Sequence, residues 1–171
     1  QGCNLRCEWC HNPETWKKKS ILSYTENKCI GCGQCIEICP SGAQQIQNGQ
    51  HIYERTLCTV CGKCVEICCT EALEIVGSYY SVEELSELLL RDRRLYEISE
   101  GGVTFSGGEP MMQAEILYDL CNRLQKEHIS VAFETALAFP WKVIHRMTEC
   151  ADLFLVDFKM FDNEKHKEYT G

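Results

Sequence analysis

The chain has 171 residues, of which 44% are apolar and 25% charged, with a formal charge of −8. That length buries a real core, and one domain plus a small appendage is the starting expectation. The acidic balance argues against non-specific nucleic-acid binding, and no stretch approaches the length of a membrane span.

The first segment, "QGCNLRCEWCHNPE", places Cys3, Cys7 and Cys10 within eight residues, with an aromatic Trp9 just before the third and a His11 just after it. Three thiols gathered so tightly are one short of the four ligands that a tetrahedral metal or a cubane cluster normally takes. A [4Fe–4S] cube held by three thiolates keeps one iron open for a small molecule, as catalytic metal sites keep an open position. The alternative is a zinc or iron site completed by a distant residue. Lys17–Lys19 reads as a solvated basic face.

Fourteen cysteines is the outlying count. Most of them fall in three tight groups, whereas a disulfide scaffold spreads its cysteines across the fold. Clustered thiols therefore point to metal ligation, and with it to a reducing cytoplasm. An internal repeat follows: "KCIGCGQCIEICPSGAQQI" at 28–46 matches "LCTVCGKCVEICCTEALEI" at 57–75, offset by 29 residues. Each run reads C-x2-C-x2-C-x3-C, the bacterial ferredoxin pattern in which the fourth cysteine crosses to the other cluster. The expected sites are Cys29, Cys32, Cys35 and Cys68 for one [4Fe–4S] cluster, and Cys58, Cys61, Cys64 and Cys39 for the other. Pro40 follows the first run, but Cys69 stands where the second would have its proline, so Cys69 competes with Cys68 as the ligand. Structural zinc is the alternative, although zinc sites favour paired C-x2-C hooks over four cysteines in one short run.

From residue 81 the pattern becomes alternating helices and strands. Ser81 and Glu84 form a capping box that opens a helix to about Ile98, with Leu85, Leu88 and Leu89 on one face. Gly101-Gly102 ends it, and 103–106 is a short strand. A helix over 113–127 is apolar at Ile116, Leu117, Leu120, Cys121 and Leu124. A strand is expected over 129–134, a helix from Pro140 to about Glu149, and a buried strand over 153–158. Cys121 and Cys150 read as small core residues. This βαβα rhythm predicts a parallel sheet, open or barrel-like.

Polar groups follow each of these strands: Gly107-Gly108-Glu109-Pro110 after the first, Glu134-Thr135 at the second, Asp157 and Lys159 at the third. In a βα barrel the C-terminal strand ends share one face, where active sites are built. Taken singly, Gly107-Gly108 reads equally as a plain turn and Asp157/Lys159 as a surface ion pair. Their joint position after three successive strands points to one pocket.

Cys3-x3-Cys7-x2-Cys10 with Trp9, then Gly107–Pro110, then Asp157-x-Lys159, resembles the radical S-adenosylmethionine superfamily, and more narrowly the glycyl radical enzyme activating enzymes. The two-cluster insert resembles the subgroup serving glycerol dehydratase, choline trimethylamine-lyase and hydroxyphenylacetate decarboxylase. The resemblance implies an α/β fold: a partial (β/α) barrel of the radical S-adenosylmethionine type, interrupted by a small ferredoxin-like domain. Residues 1–24 would form the cluster loop, 25–78 the insert and 79–171 the partial barrel. It also implies a fragment, lacking the first strand and the last third of the barrel.

By the same resemblance, the open iron chelates the amino and carboxylate groups of S-adenosylmethionine. Trp9 and the Cys10-His11 backbone contact adenine, while Gly107, Gly108 and Glu109 hold the amino group. Asp157 and Lys159 grip the ribose and carboxylate side. Glu134-Thr135 replaces the family's Asp-Thr, which with Asp157 would help seat a monovalent cation. His166 reads as structural. The implied reaction is reductive cleavage to a 5′-deoxyadenosyl radical that takes hydrogen from a glycine Cα of a partner glycyl radical enzyme. A ferredoxin or flavodoxin would supply electrons, and neither nucleic acid nor membrane is an expected partner. Alternatives are a radical S-adenosylmethionine enzyme acting on a small molecule and a plain electron-transfer module.

Overall fold

The structure is a computed structural model that describes residues 1–171. They form two compact units, Lys19–Ser78 and the combination of Gln1–Lys18 with Tyr79–Gly171.

The Lys19–Ser78 unit is built as two similar halves. Its elements are β1 (Ile21–Tyr24), α1 (Gln34–Ile38), β2 (Gln44–Gln47), β3 (Gln50–Tyr53), α2 (Lys63–Glu66) and β4 (Leu73–Val76). Strands β1 and β4 pair antiparallel, with Leu22 opposite Ile75 and Tyr24 opposite Leu73. Strands β2 and β3 pair likewise, with Gln44 opposite Tyr53 and Ile46 opposite His51. Only Asn48 and Gly49 separate β2 from β3, both with positive φ, which suits the right-handed twist of a two-residue hairpin. Each short helix starts on a left-handed glycine, Gly33 or Gly62. The unit begins at Lys19, ahead of the expected start at 25, because Ile21–Tyr24 pairs with Leu73–Val76. Leu22, Cys64 and Leu73 are its buried centre.

The second unit is mixed α/β. It contains α3 (Val82–Leu90), α4 (Arg93–Ser99), β5 (Gly102–Phe105), α5 (Ala114–Lys126), β6 (Ser130–Thr135), α6 (Trp141–Thr148), β7 (Leu153–Val156) and α7 (Asn163–Thr170). The three strands form one parallel sheet in the order β5-β6-β7. Phe105, Phe133 and Phe154 stand in register, one per strand, with ring centroids 5.4 and 5.8 Å apart. Around them Leu117, Leu120, Cys121, Leu124, Val131, Met147 and Cys150 close the core.

Four expectations need correction. The helix predicted from Ser81 to Ile98 is two helices, because Arg91 and Asp92 form a turn. The charged run from Arg91 to Arg94 has no apolar side chain for the core, and Asp is a weak helix former. Leu88 is exposed, and Val82, Leu85, Leu89 and Leu90 pack inward instead. The last strand is not buried: Leu153, Leu155 and Val156 are each about half exposed, since β7 is an edge strand with β6 as its one partner. The capping box is present in full, with Ser81 accepting from Glu84 N and Glu84 accepting from Ser81 N. The helix ends through Glu100 at φ 53°, not through a glycine. Gly102 opens β5 because a Cβ there would lie 2.0 Å from the Ser130 carbonyl oxygen.

Candidate active site

The cysteine loop is fastened to the strand-end loops by backbone hydrogen bonds. Gly2 N donates to Thr15 O at 2.7 Å, and Gly2 O accepts from Glu109 N at 2.8 Å. Arg6 N and Glu8 N donate to Thr170 O and Tyr169 O at the end of α7. The Asn4 side chain donates to Ala138 O at 2.7 Å. Gly108 makes this approach feasible, because a Cβ at that position would sit 2.4 Å from the Gly2 carbonyl oxygen.

The result is a single cleft of about 430 Å³. Cys3, Cys7 and Cys10 line it together with Trp9, His11, Gly107, Gly108, Glu109, Glu134, Asp157 and Lys159. Every residue expected to contact the small molecule therefore borders one space. Thr135 lines it beside Glu134, and Asn12, Thr15, Trp16, Ser106 and Ala136, which the sequence does not single out, line it as well. Ser106 had a usable signal, the polar end of a predicted strand; Trp16 had none.

The charges in this cleft are ordered. Burial pushes the Cys7 thiol above its ordinary range, the neighbouring Cys3 and Cys10 add to this, and Lys159 opposes it. Burial works against the charge on Lys159, but its bond to Asp157 and the nearby Cys7 and Cys3 outweigh that and hold the ammonium charged. Glu134 is exposed and accepts from the Ser106 hydroxyl at 2.6 Å. Glu109 behaves differently: it is 3% exposed, and both its oxygens are engaged by the protein. It accepts from the Thr135 hydroxyl at 2.7 Å, Ala136 N at 3.0 Å and Met111 N at 3.2 Å. His166 meets Thr170 of its own helix at 3.1 Å, away from the cleft lining.

In the Lys19–Ser78 unit, the two repeat halves exchange their last cysteines. Cys29, Cys32, Cys35 and Cys68 border one cavity, with Cys69 beside them. Cys39, Cys58, Cys61 and Cys64 border another. Cys39 and Cys68 occupy equivalent surroundings, Cys39 Sγ lying 3.6 Å from the Ser41 hydroxyl and Cys68 Sγ 3.7 Å from that of Thr70. Burial raises both thiols, and these hydroxyls with nearby backbone N–H groups more than reverse it, taking Cys39 to about 7. Burial and the adjacent Cys29 push Cys35 up to about 11. Cys69 is exposed and outside this symmetry.

No three His, Cys, Asp or Glu side chains converge closely enough to hold a single metal ion. A cubane takes one thiolate per iron and keeps its ligands farther apart, so these thiol sets suit a cluster better than a lone zinc.

A protein family described as 4Fe-4S single cluster domain matches residues 1–170. The chain belongs to this iron–sulfur family. Among curated relatives of this 4Fe-4S chain is the choline trimethylamine-lyase activating enzyme of Oleidesulfovibrio alaskensis, 40% identical over 100% of this chain and 56% of the relative. The benzylsuccinate synthase activating enzyme of Thauera aromatica is 41% identical over 100% of this chain and 54% of its own length. The trans-4-hydroxy-L-proline dehydratase activating enzyme of Clostridioides difficile is 42% identical over 100% and 57%. The chain thus spans just over half the length of the curated relatives it matches. All three are named activating enzymes, in agreement with the resemblance carried by the motifs. No helix is long and apolar enough to cross a membrane.

Proposed function

We propose that this chain carries the cluster and substrate sites of a glycyl radical enzyme activase, an oxidoreductase of the radical S-adenosylmethionine superfamily. The observation that carries this reading is the shared cleft: the three-cysteine loop borders the same space as the glycines and charged groups at three strand ends. Whole-chain similarity to enzymes named as activators supports it.

In this reading Cys3, Cys7 and Cys10 hold a [4Fe–4S] cluster. Trp9 and the Cys10-His11 backbone receive adenine, and the Gly107-Gly108 backbone receives the amino group of S-adenosylmethionine. Glu109, tied to Thr135 and Ala136, fixes the loop that presents those glycines. Lys159 meets the carboxylate while Asp157 orients it, and Glu134 with Asp157 supplies the oxygens for a monovalent cation. The chemistry supplied by the bound cluster is one-electron reductive cleavage of S-adenosylmethionine, giving the 5′-deoxyadenosyl radical that removes hydrogen from a glycine Cα of a partner. No side chain is asked to move a proton; the cleft orients the reactants and limits water.

The parallel sheet with its cysteine loop forms part of a βα barrel, and the Lys19–Ser78 unit forms a ferredoxin-like insert with two further clusters. Cys29, Cys32, Cys35 and Cys68 hold one, and Cys39, Cys58, Cys61 and Cys64 the other. The bordering of two separate cavities by these crossed sets supports the assignment. The insert accepts electrons from a ferredoxin or flavodoxin in a reducing cytoplasm, and the partner is a glycyl radical enzyme.

The test is anaerobic reconstitution with iron and sulfide, followed by S-adenosylmethionine and a strong reductant. The complete protein should release 5′-deoxyadenosine and methionine, and produce a glycyl doublet by EPR on a cognate enzyme. Release of 5′-deoxyadenosine with a small-molecule product and no protein radical would redirect the reading, and no release at all would reduce it to electron transfer.

A further inference from the structure

The two halves of the insert are equivalent in backbone but not in one buried pair. With the repeat offset of 29, Leu22 corresponds to His51 and Leu73 to Gln44. The strand registers agree: Leu22 faces Ile75 as His51 faces Ile46, and Tyr24 faces Leu73 as Tyr53 faces Gln44. One half thus places two leucines, 2% and 3% exposed, where the other places a histidine and a glutamine.

Burial of a polar pair costs stability unless its bonds are made. Gln44 is 2% exposed. Its Nε2 donates toward Cys64 Sγ at 3.6 Å, and its Oε1 lies 2.7 Å from His51 Nε2. That same His51 nitrogen lies 3.6 Å from Cys35 Sγ. Cys35 and Cys64 are equivalent positions of the repeat and belong to the two different thiol sets. A chain of contacts therefore runs Cys35–His51–Gln44–Cys64.

Its polarity is fixed by donor chemistry. A cluster thiolate only accepts, so the Gln44 amide turns its NH2 toward Cys64 and its carbonyl toward His51. The carbonyl only accepts, so His51 Nε2 carries the hydrogen. The other ring nitrogen, Nδ1, is buried without a partner. The short bond to Gln44 takes most of the His51 donor and polarises the amide toward Cys64.

We propose that Gln44, backed by His51, raises the reduction potential of the cluster held by Cys39, Cys58, Cys61 and Cys64 above that of its twin. A donor aimed at a cluster sulfur stabilises the reduced, more negative state. The insert is then a pair of unequal electron carriers, with the inequality set by two residues. This rests on the reading of the insert as a two-cluster site.

The test uses the full chain with Cys3, Cys7 and Cys10 changed to serine, so that the insert alone contributes, in EPR-monitored potentiometric titration. The unaltered insert should show two midpoints. In Q44L/H51L, which copies the Leu73/Leu22 half, the higher midpoint should move negative and the gap should narrow. In Q44E, which keeps the shape and the His51 contact but removes the donor, it should also move negative. Unchanged midpoints at full iron content would overturn the proposal. If the leucine variant does not load iron, pulsed EPR of the reduced, otherwise unaltered insert with 15N-glutamine decides. A side-chain nitrogen coupling supports the bridge, and its absence refutes it. Iron for fewer than two clusters in the unaltered insert would instead refute the two-cluster reading itself.

Discussion

At the scale of single residues, Gly108 and Glu109 show how the cleft is held. Gly108 lies where the cysteine loop crosses the end of β5, and the atoms a Cβ would meet are backbone oxygens, Gly2 O at 2.4 Å and Thr15 O at 3.0 Å. Neither yields without moving the loop. Gly108→Ala should cost about 1–3 kcal/mol by overpacking, read as a lower denaturant midpoint, with reduced iron in the first cluster and normal iron in the insert. Unchanged stability and iron would mean that the loop is not fixed here. A sequence displays the carboxylate of Glu109 but not its partners, because Thr135 and Ala136 lie beyond a whole helix and strand. The motif alone gives Glu109 as a ligand contact; its engagement by three protein donors is visible only in the fold. The grouping of Cys29, Cys32, Cys35 and Cys68 around one cavity and of Cys39, Cys58, Cys61 and Cys64 around another was legible because the repeated run follows the ferredoxin pattern, in which the fourth cysteine crosses over.

At the scale of elements, strong local signals corresponded to structure and weak ones did not. The helix over Ala114–Lys126 has a clear apolar face, and Leu117, Leu120, Cys121 and Leu124 are buried as expected, although Ile116 is 43% exposed. The start at Ser81 was readable because a capping box is local chemistry. Ser81→Ala should remove the bond to Glu84 N and cost about 1 kcal/mol, detectable as faster amide exchange in the first turn of α3 with little change in the sheet. The break at Arg91-Asp92 was missed because helical charge patterns continue through it, and only the packing of Leu89 and Leu90 shows that the chain has to turn. The exposed edge of β7 was missed because an apolar run does not state how many neighbours a strand has. The hairpin at Asn48-Gly49 was available from that dipeptide alone and concerns the strand that carries His51.

At the scale of the whole molecule, the two units are equipped for different jobs. The Lys19–Ser78 unit gathers two closed four-cysteine sets, which suit electron storage and relay. The other unit gathers three cysteines and a polar strand-end cleft, which suit binding of a small charged molecule at an open iron. The central claim is this direct binding, and pulsed EPR of the reconstituted, reduced chain with S-adenosylmethionine carrying 15N in its amino group tests it most directly. A 15N coupling to a reduced cluster is expected, and it should disappear in Cys3→Ser while the signals of the insert persist. A reduced first cluster with no such coupling, or a coupling that survives Cys3→Ser, would contradict it.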